Sequence, residues 1–189
     1  MQTTWACVEE TGLISRAQKG DREAFGELVC LHRTGVINVV YRMCGEAGLA
    51  EDAAQVAFIQ AWRHLSGYQT RATFRSWLYR IAINAALDML RREKPAEDID
   101  DDRIGLSLAS PAEKVEAQVE QQERIRKVRR AVLSLPEASR AVLVLREYEG
   151  LSYQEIAEAL EIPTGTVMSR LSYARKLLAE KLRSFMEEA

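Results

Sequence analysis

Apolar residues recur along this chain at intervals of three and four and almost never alternate, a pattern that predicts helices and no strands. A first helical block runs from about Leu13 to Glu93. Gly20-Asp21 interrupts it early, and Asp21 is placed to cap the helix that carries Phe25, Leu28, Val29, Val36, Val39 and Val40. A second break falls near Gly45–Gly48. The next helix is expected from about Ala50 to Leu65, stopped by Ser66-Gly67, and the fourth from Thr73, its predicted cap, to Arg92.

Between Lys94 and Ser110 both periods vanish into proline, glycine, serine and acids, the pattern of an extended linker. Helical spacing resumes at Ser110-Pro111-Ala112-Glu113, a capping box with proline at the first helical position, and continues to Leu133. Pro136 opens a helix ending at Glu149-Gly150. Ser152 and Glu155 form a second capping box, opening a short helix that stops near Leu160. After the turn Glu161-Ile162-Pro163, a last helix runs from about Thr164 to Met186. The expected architecture is all-α, with two small helical domains joined by an extended acidic linker. Its expected divisions are an N-terminal extension over 1–12, a helical domain over 13–93, a linker over 94–112 and a helix-turn-helix domain over 113–189.

Charge alters the picture only when resolved along the chain. The net charge over 189 residues is −2, which disguises three contrasting stretches. Residues 97–102 hold five acids in six positions. Residues 71–92 carry Arg71, Arg75, Arg80, Arg91 and Arg92 against Asp88 alone, and residues 163–183 carry Arg170, Arg175, Lys176, Lys181 and Arg183 against Glu180 alone. Two basic patches of local charge +4 therefore flank an acidic segment, and patches, not means, attract phosphate.

Other chemistries find little support. No apolar run is long enough to span a membrane and no secretory leader opens the chain, so the expected location is cytoplasmic, without membrane insertion. Cys7, Cys30 and Cys44 are odd in number and lack C-x-x-C spacing; Cys30 and Cys44 read as small core residues. His32 and His64 fall on different helices without metalloprotease spacing and are expected at the surface or its boundary. Glycine-rich nucleotide loops are absent. Neither an enzyme nor a cofactor or metal site is expected.

Three helices carry candidate function. On a 100° wheel, Val167, Leu171, Ala174, Leu178 and Phe185 share one face of the last helix, while Ser169, Ser172 and Lys176 face away. Thr166, Met168 and Tyr173 adjoin that outer face, and Arg170 and Arg175 flank it. A short helix, a tight turn and a longer helix is helix-turn-helix spacing, and small hydroxyls with flanking arginines suit a major groove. The same wheel also fits the solvated basic face of an ordinary bundle helix. Helix 73–92 is apolar around most of its circumference, through Phe74, Trp77, Leu78, Ile81, Ile83, Ala85, Leu87, Met89 and Leu90. Its narrow polar stripe is Arg80, Asn84 and Arg91, with Arg92 beyond. Such a stripe suits phosphates and unpaired bases, and equally serves as a solubilising edge. Tyr68, Phe74, Trp77 and Tyr79 are either stacking platforms or core. Helix 50–65 turns Phe58, Ala61, Trp62 and Leu65 to one side and Asp52, Gln55, Ile59 and Arg63 to the next, a mixed stripe of the kind partner helices bind.

The run from Ala50 to Arg63 (AEDAAQVAFIQAWR) resembles the second conserved region of bacterial RNA polymerase sigma factors, and Phe74 to Asp88 (FRSWLYRIAINAALD) resembles their promoter-melting helix. Leu135-Pro136-Glu137, the run 150–157 (GLSYQEIA), the run 163–171 (PTGTVMSRL) and Ala174-Arg175 resemble the fourth region. With no room for a third domain, the layout over 13–93 and 113–186 resembles the extracytoplasmic-function (ECF) subgroup of the sigma-70 family. That resemblance implies a factor that binds core RNA polymerase and directs it to promoters without catalysing a reaction. Asp52, Gln55, Ile59 and Arg63 would meet the clamp helices of the beta-prime subunit, and the beta flap is a further expected contact on the polymerase. Tyr68, Arg80, Asn84, Arg91 and Arg92 would hold the melted minus-10 element, with the loop 66–73 taking a flipped base. Thr166, Met168, Ser169, Arg170, Ser172, Tyr173, Arg175 and Lys176 would read the minus-35 element. The linker resembles those that thread toward the template strand, and an anti-sigma factor is an expected partner. Met168 departs from the family pattern, standing where many relatives carry arginine or lysine.

Overall fold

The computed structural model describes residues 3–69, 72–93 and 115–187, and within them the side chains of 9–69, 72–92 and 121–183. Helix α1 spans Thr3–Gln18, α2 Arg22–Cys44, α3 Ala47–His64 and α4 Phe74–Glu93; a 3-10 turn, Leu65–Gly67, follows α3. In the second half α5 spans Val115–Leu133 and α6 Glu137–Leu143, which passes into a π-helical turn over Val144–Tyr148. Helix α7, Tyr153–Leu160, and α8, Thr164–Glu187, complete the chain. The described residues contain no strand. The expected linker 94–112 and the capping box at Ser110–Glu113 lie outside the described residues.

The expected caps form. The Asp21 carboxylate accepts from the amides of Glu23 at 3.0 Å and Ala24 at 3.1 Å; the Ala24 bond first, and the hydrogen bond from Arg16 second, hold its pKa below the ordinary 3.8. Gly45 ends α2 in the left-handed region (φ +83°), donating to the Tyr41 carbonyl at 2.8 Å. Thr73 Oγ1 accepts from the Ser76 amide at 3.2 Å and pairs with its hydroxyl at 2.7 Å. That pairing satisfies one of the few polar side chains sealed in the core. Ser152 and Glu155 close their box reciprocally, at 3.2 and 2.8 Å.

Alanines 50, 53, 54, 57 and 61 are all buried along α3, so its backbone can lie close against α2 and α4. Val36, Val39, Val40, Leu78, Ala82 and Ile83 fill the space between. In the second domain Ala141–Leu145 are all buried and pack with Leu151, Ile156, Val167, Leu171 and Ala174. Two differences from expectation concern α1 and α3. Helix α1 begins ten residues before Leu13, because Thr11-Gly12 imitates a break that the helix spans. The core face of α3 is its alanine row, which leaves Phe58 and Trp62 half-buried on the neighbouring flank.

The two domains also meet, which no periodicity anticipates. Helix α4 packs against α7, and α2 against α5, α6 and the π-helical turn.

Candidate nucleic-acid interface and docking groove

Helix α8 divides as its wheel predicts over the described side chains, and Phe185 lies outside them. Val167, Leu171 and Ala174 are buried, and Leu178 is half-buried. Met168, Ser169, Ser172, Tyr173 and Lys176 are exposed, with Met168 and Tyr173 at 54% and 51% despite their apolar bulk. Thr166 and Arg170 are half-buried at the margin, and Ser169 donates to the Thr166 carbonyl at 3.1 Å. Arg175 reaches sideways: its Nη2 and Nε donate to Glu147 Oε1 at 2.6 and 3.2 Å, and that hydrogen bond raises its already high pKa. The turn that sets α7 against α8 places Glu161 in the left-handed region (φ +53°), where its amide reaches back to α7.

Helix α4 presents its stripe as expected, with Asn84, Arg91 and Arg92 exposed and Arg80 half-buried. Arg80 is ion-paired with Glu161, and Arg91 lies 3.7 Å from Asp88 and 3.8 Å from Glu137. Tyr68 departs from its expected role. It is only 8% exposed, its ring centroid lies 5.1 Å from that of Trp77 and 5.6 Å from that of Phe74, and its hydroxyl donates to the Ala72 carbonyl at 2.7 Å. In this arrangement it anchors the loop, and its burial leaves little of the ring to offer a base. Residues 70 and 71 of that loop lie outside the described residues. Cys30 also corrects its expectation: it is exposed on α2, because the apolar neighbours that suggested burial lie round the helix from it. Cys44 is half-buried, and desolvation raises its thiol pKa above the ordinary 9.0. His32, half-buried, pairs with Glu10 at 2.8 Å, and His64 is exposed.

Asp52, Gln55 and Ile59 line one wall of a groove of about 680 Å³ between α2 and α3. Arg63, a turn further along α3, is exposed outside it. The opposite wall is α2, with Arg22, Phe25, Val29, Arg33 and Ile37, and the floor includes Phe58 and Trp62, the latter 4.9 Å from Phe25 between ring centroids. This α2 wall was missed in the sequence, although positions 22, 25, 29, 33 and 37 share one helical stripe. An apolar floor with both charges at the rim suits an amphipathic helix. Among the described residues no helix is long and apolar enough to cross a membrane.

A helix-turn-helix with a hydroxyl-rich outer face, joined to a helical domain with a basic stripe and an apolar groove, defines a DNA-reading factor built to dock on a larger partner. The family model Sigma-70 region 2 matches residues 28–95, and Sigma-70, region 4 matches residues 125–178. The chain is 35% identical to the RNA polymerase sigma-H factor of Pseudomonas aeruginosa over 96% of its own length and 97% of that protein's. It is 38% identical to the ECF RNA polymerase sigma-E factor of Escherichia coli, over 90% and 93% of the two chains. The chain belongs to the ECF sigma factors of the sigma-70 family, which direct RNA polymerase to promoters and initiate transcription. Its fold is also that of CnrH, solved in complex with the cytosolic domain of CnrY (TM-score 0.70, 24% identity, 93% of this chain and 98% of that one). The fold is shared too by RpoE of Bartonella quintana, solved with the anti-sigma factor NepR (TM-score 0.66, 20% identity, 84% and 96%).

Proposed function

We propose that this sigma factor divides its work among three surfaces, with the cytoplasm as its place of action. The α2–α3 groove, through Asp52, Gln55 and Ile59 with Arg63 beyond its end, takes the clamp helices of the polymerase beta-prime subunit, and the second domain meets the beta flap. The stripe Arg80, Asn84, Arg91 and Arg92 on α4 holds the melted minus-10 strand: the arginines act on phosphates, and the Asn84 amide can both donate to and accept from a base edge. The outer face of α8, Thr166 to Lys176, enters the major groove at the minus-35 element. The observation that supports this reading best is the partition of α8: Met168, Ser169, Ser172, Tyr173, Arg175 and Lys176 are exposed where a groove would need them, and Val167, Leu171 and Ala174 are buried behind them. An anti-sigma factor is the expected antagonist, of the kind with which RpoE was solved. The functional divisions follow as 13–93, 94–112 and 113–189, after an extension over 1–12. No residue has a catalytic role, since the polymerase forms the bonds.

Asn84→Ala tests the minus-10 assignment. The side chain is exposed, so its removal is expected to leave the fold and core-polymerase binding intact. Promoter opening, followed by permanganate reactivity of unpaired thymines, is expected to slow roughly 5- to 150-fold, the factor for about 1–3 kcal/mol of base contact. Opening at the wild-type rate by a variant that binds core normally would make Asn84 ordinary surface.

A further inference from the structure

Most side chains that donate to a main-chain carbonyl among the described residues find one close by in sequence, as Ser134 does at Ala131, Arg146 at Leu151 and Ser169 at Thr166. Arg140 of α6 and Gln18 of α1 reach much further. Arg140 donates to the Met43 carbonyl at the end of α2. Gln18, the last residue of α1, donates through Nε2 to the Leu65 carbonyl at 3.2 Å and to the Tyr68 carbonyl at 2.9 Å, 47 and 50 positions away. Leu65 and Tyr68 bracket the 3-10 turn that ends α3, and the Leu65 carbonyl also accepts from the Tyr68 amide at 3.0 Å. Carbonyls at a helix end lack donors from their own helix, and a primary amide has two N–H groups to give. One Gln18 side chain therefore ties both ends of the turn and fixes the direction in which the chain leaves α3.

The loop between α3 and α4 starts from that turn. Its far stem is held as well: the Tyr68 hydroxyl donates to the Ala72 carbonyl at 2.7 Å, and Thr73 accepts from the Ser76 amide at 3.2 Å as α4 begins. Helix α1 reaches this side too. Glu10, about two turns before Gln18, pairs with His32 at 2.8 Å, and the His32 ring lies 5.4 Å from that of Phe74, the first residue of α4. Leu13, Ile14 and Ala17 are buried, so the helix that carries Gln18 is itself anchored in the core of the first domain. Gln18 is half-buried, with its amide committed to two carbonyls, and the polar stripe assigned to the minus-10 strand belongs to another helix, α4. Any effect of Gln18 on DNA is thus transmitted through the loop.

We propose that Gln18 is a positioning residue for minus-10 recognition, its amide holding the entry stem Leu65–Tyr68 in the shape from which the loop receives an unpaired base. The proposal rests on the reading of that loop as the seat of a flipped base. A base leaves the stack at a cost, and it is captured only if contacts made outside the duplex repay that cost. A loop already in its bound shape spends none of those contacts on its own ordering, which is how a residue remote from the base governs its capture. The chemistry demanded of position 18 is specific. Both partners are acceptors, so the side chain must bring N–H donors; methionine matches its reach without them, glutamate sets acceptor against acceptor, and lysine restores them.

The test assembles full-length Gln18→Met, Gln18→Glu and Gln18→Lys with core polymerase. Opening is followed by permanganate reactivity on a promoter that the wild-type holoenzyme selects from a randomised pool. It is followed again on versions of that promoter in which each non-template minus-10 base in turn is replaced by an abasic site. On the intact promoter Gln18→Met is expected to open about tenfold more slowly, the factor for about 1.4 kcal/mol, with Gln18→Glu slower still and Gln18→Lys recovering most of the loss. On the promoter that lacks the captured base, Gln18→Met and wild type are expected to open at the same rate, since no base remains to be positioned. Equal slowing on the intact and on every abasic promoter would reduce Gln18 to general support of the fold and overturn the proposal. Wild-type opening by Gln18→Met would overturn it too, and if Asn84→Ala is slow in the same assay the minus-10 reading stands without it. Should Gln18→Met fail to fold, Gln18→Lys and Gln18→Glu carry the comparison, and lysine opening as slowly as glutamate would refute the donor argument. If no abasic site slows the wild type, the loop receives no base, and the fault lies in the reading of the loop, with the proposal falling alongside it.

Discussion

Replacing Leu171 and replacing Ser172 separates folding from reading on a single helix. Leu171 is 1% exposed, packed with the buried Val167, Ala174 and Ile156 of the second domain. Truncating such a leucine to alanine removes its transfer energy and leaves a cavity, together costing about 2–5 kcal/mol. For a chain of this size, about 2–4 °C of melting temperature accompany each kcal/mol, so a middle value of about 3 kcal/mol lowers the midpoint by roughly 6–12 °C. Ser172 is exposed one position further, and no packing is lost when its hydroxyl goes; Ser172→Ala is expected within about 0.5 kcal/mol of wild type. Its effect should appear in selection instead. A lost base contact of about 1–3 kcal/mol reorders promoters roughly 5- to 150-fold by minus-35 sequence, while minus-10 contacts sustain transcription. The assay pairs thermal melts with transcription by reconstituted holoenzyme from a pool randomised at the minus-35 element. If Ser172→Ala and Tyr173→Ala melt early and keep wild-type selectivity, the groove-facing side of α8 has been assigned wrongly.

Two further outcomes probe the contact between the domains. Gly20 and Gly45 both adopt positive φ, +94° and +83°, so alanine costs about 1–2 kcal/mol of backbone strain at either; only at Gly45 would the new Cβ fall 2.6 Å from a Leu133 methyl across the interface. Gly45→Ala is therefore expected to lose roughly 1 kcal/mol more than Gly20→Ala in urea denaturation, and Leu133→Ala should relieve that excess; equal losses would remove Leu133 from the contact. Burial first, and the hydrogen bond to Glu149 second, push the Tyr79 hydroxyl far above its ordinary 10.0. Its neutral form belongs to the folded state, so this contribution is complete below pH 10. It is lost as pH rises further, because the unfolded chain then ionises first. Denaturation series between pH 8 and 11 should show a flatter alkaline decline in Tyr79→Phe, with a residue from Tyr68, whose pKa burial also raises; identical slopes would contradict this.

Local signals made much of the fold legible. Asp21, Thr73 and the Ser152–Glu155 pair are short-range devices whose partners lie within three residues, so their chemistry is visible in the chain itself. The outer face of α8 was legible for a similar reason, since one wheel fixes both its buried and its exposed positions. Positions decided by a second element were not legible. Tyr68 has the composition of a stacking platform, and only its clustering with Phe74 and Trp77 buries it as an anchor. Cys30 lies in an apolar run, yet no neighbouring helix covers it. Arg80 and Arg91 read as free cations because Glu161 and Glu137 are 81 and 46 positions away, beyond any periodic pattern.

The bond from Arg140 to the Met43 carbonyl has an evolutionary asymmetry. Its acceptor is main chain, and every amino acid supplies the same carbonyl, so no substitution at position 43 can delete it. The strength of that tie can drift only through position 140, where the guanidinium also donates to the Leu135 carbonyl at 3.2 Å and leaves Nε buried without a partner. Burial already lowers the pKa of this arginine, so a neutral replacement forfeits the bonds and escapes the desolvation cost at once. A single codon in the second domain thus offers selection a dial on how firmly the first is held, with the sequence of the first left untouched.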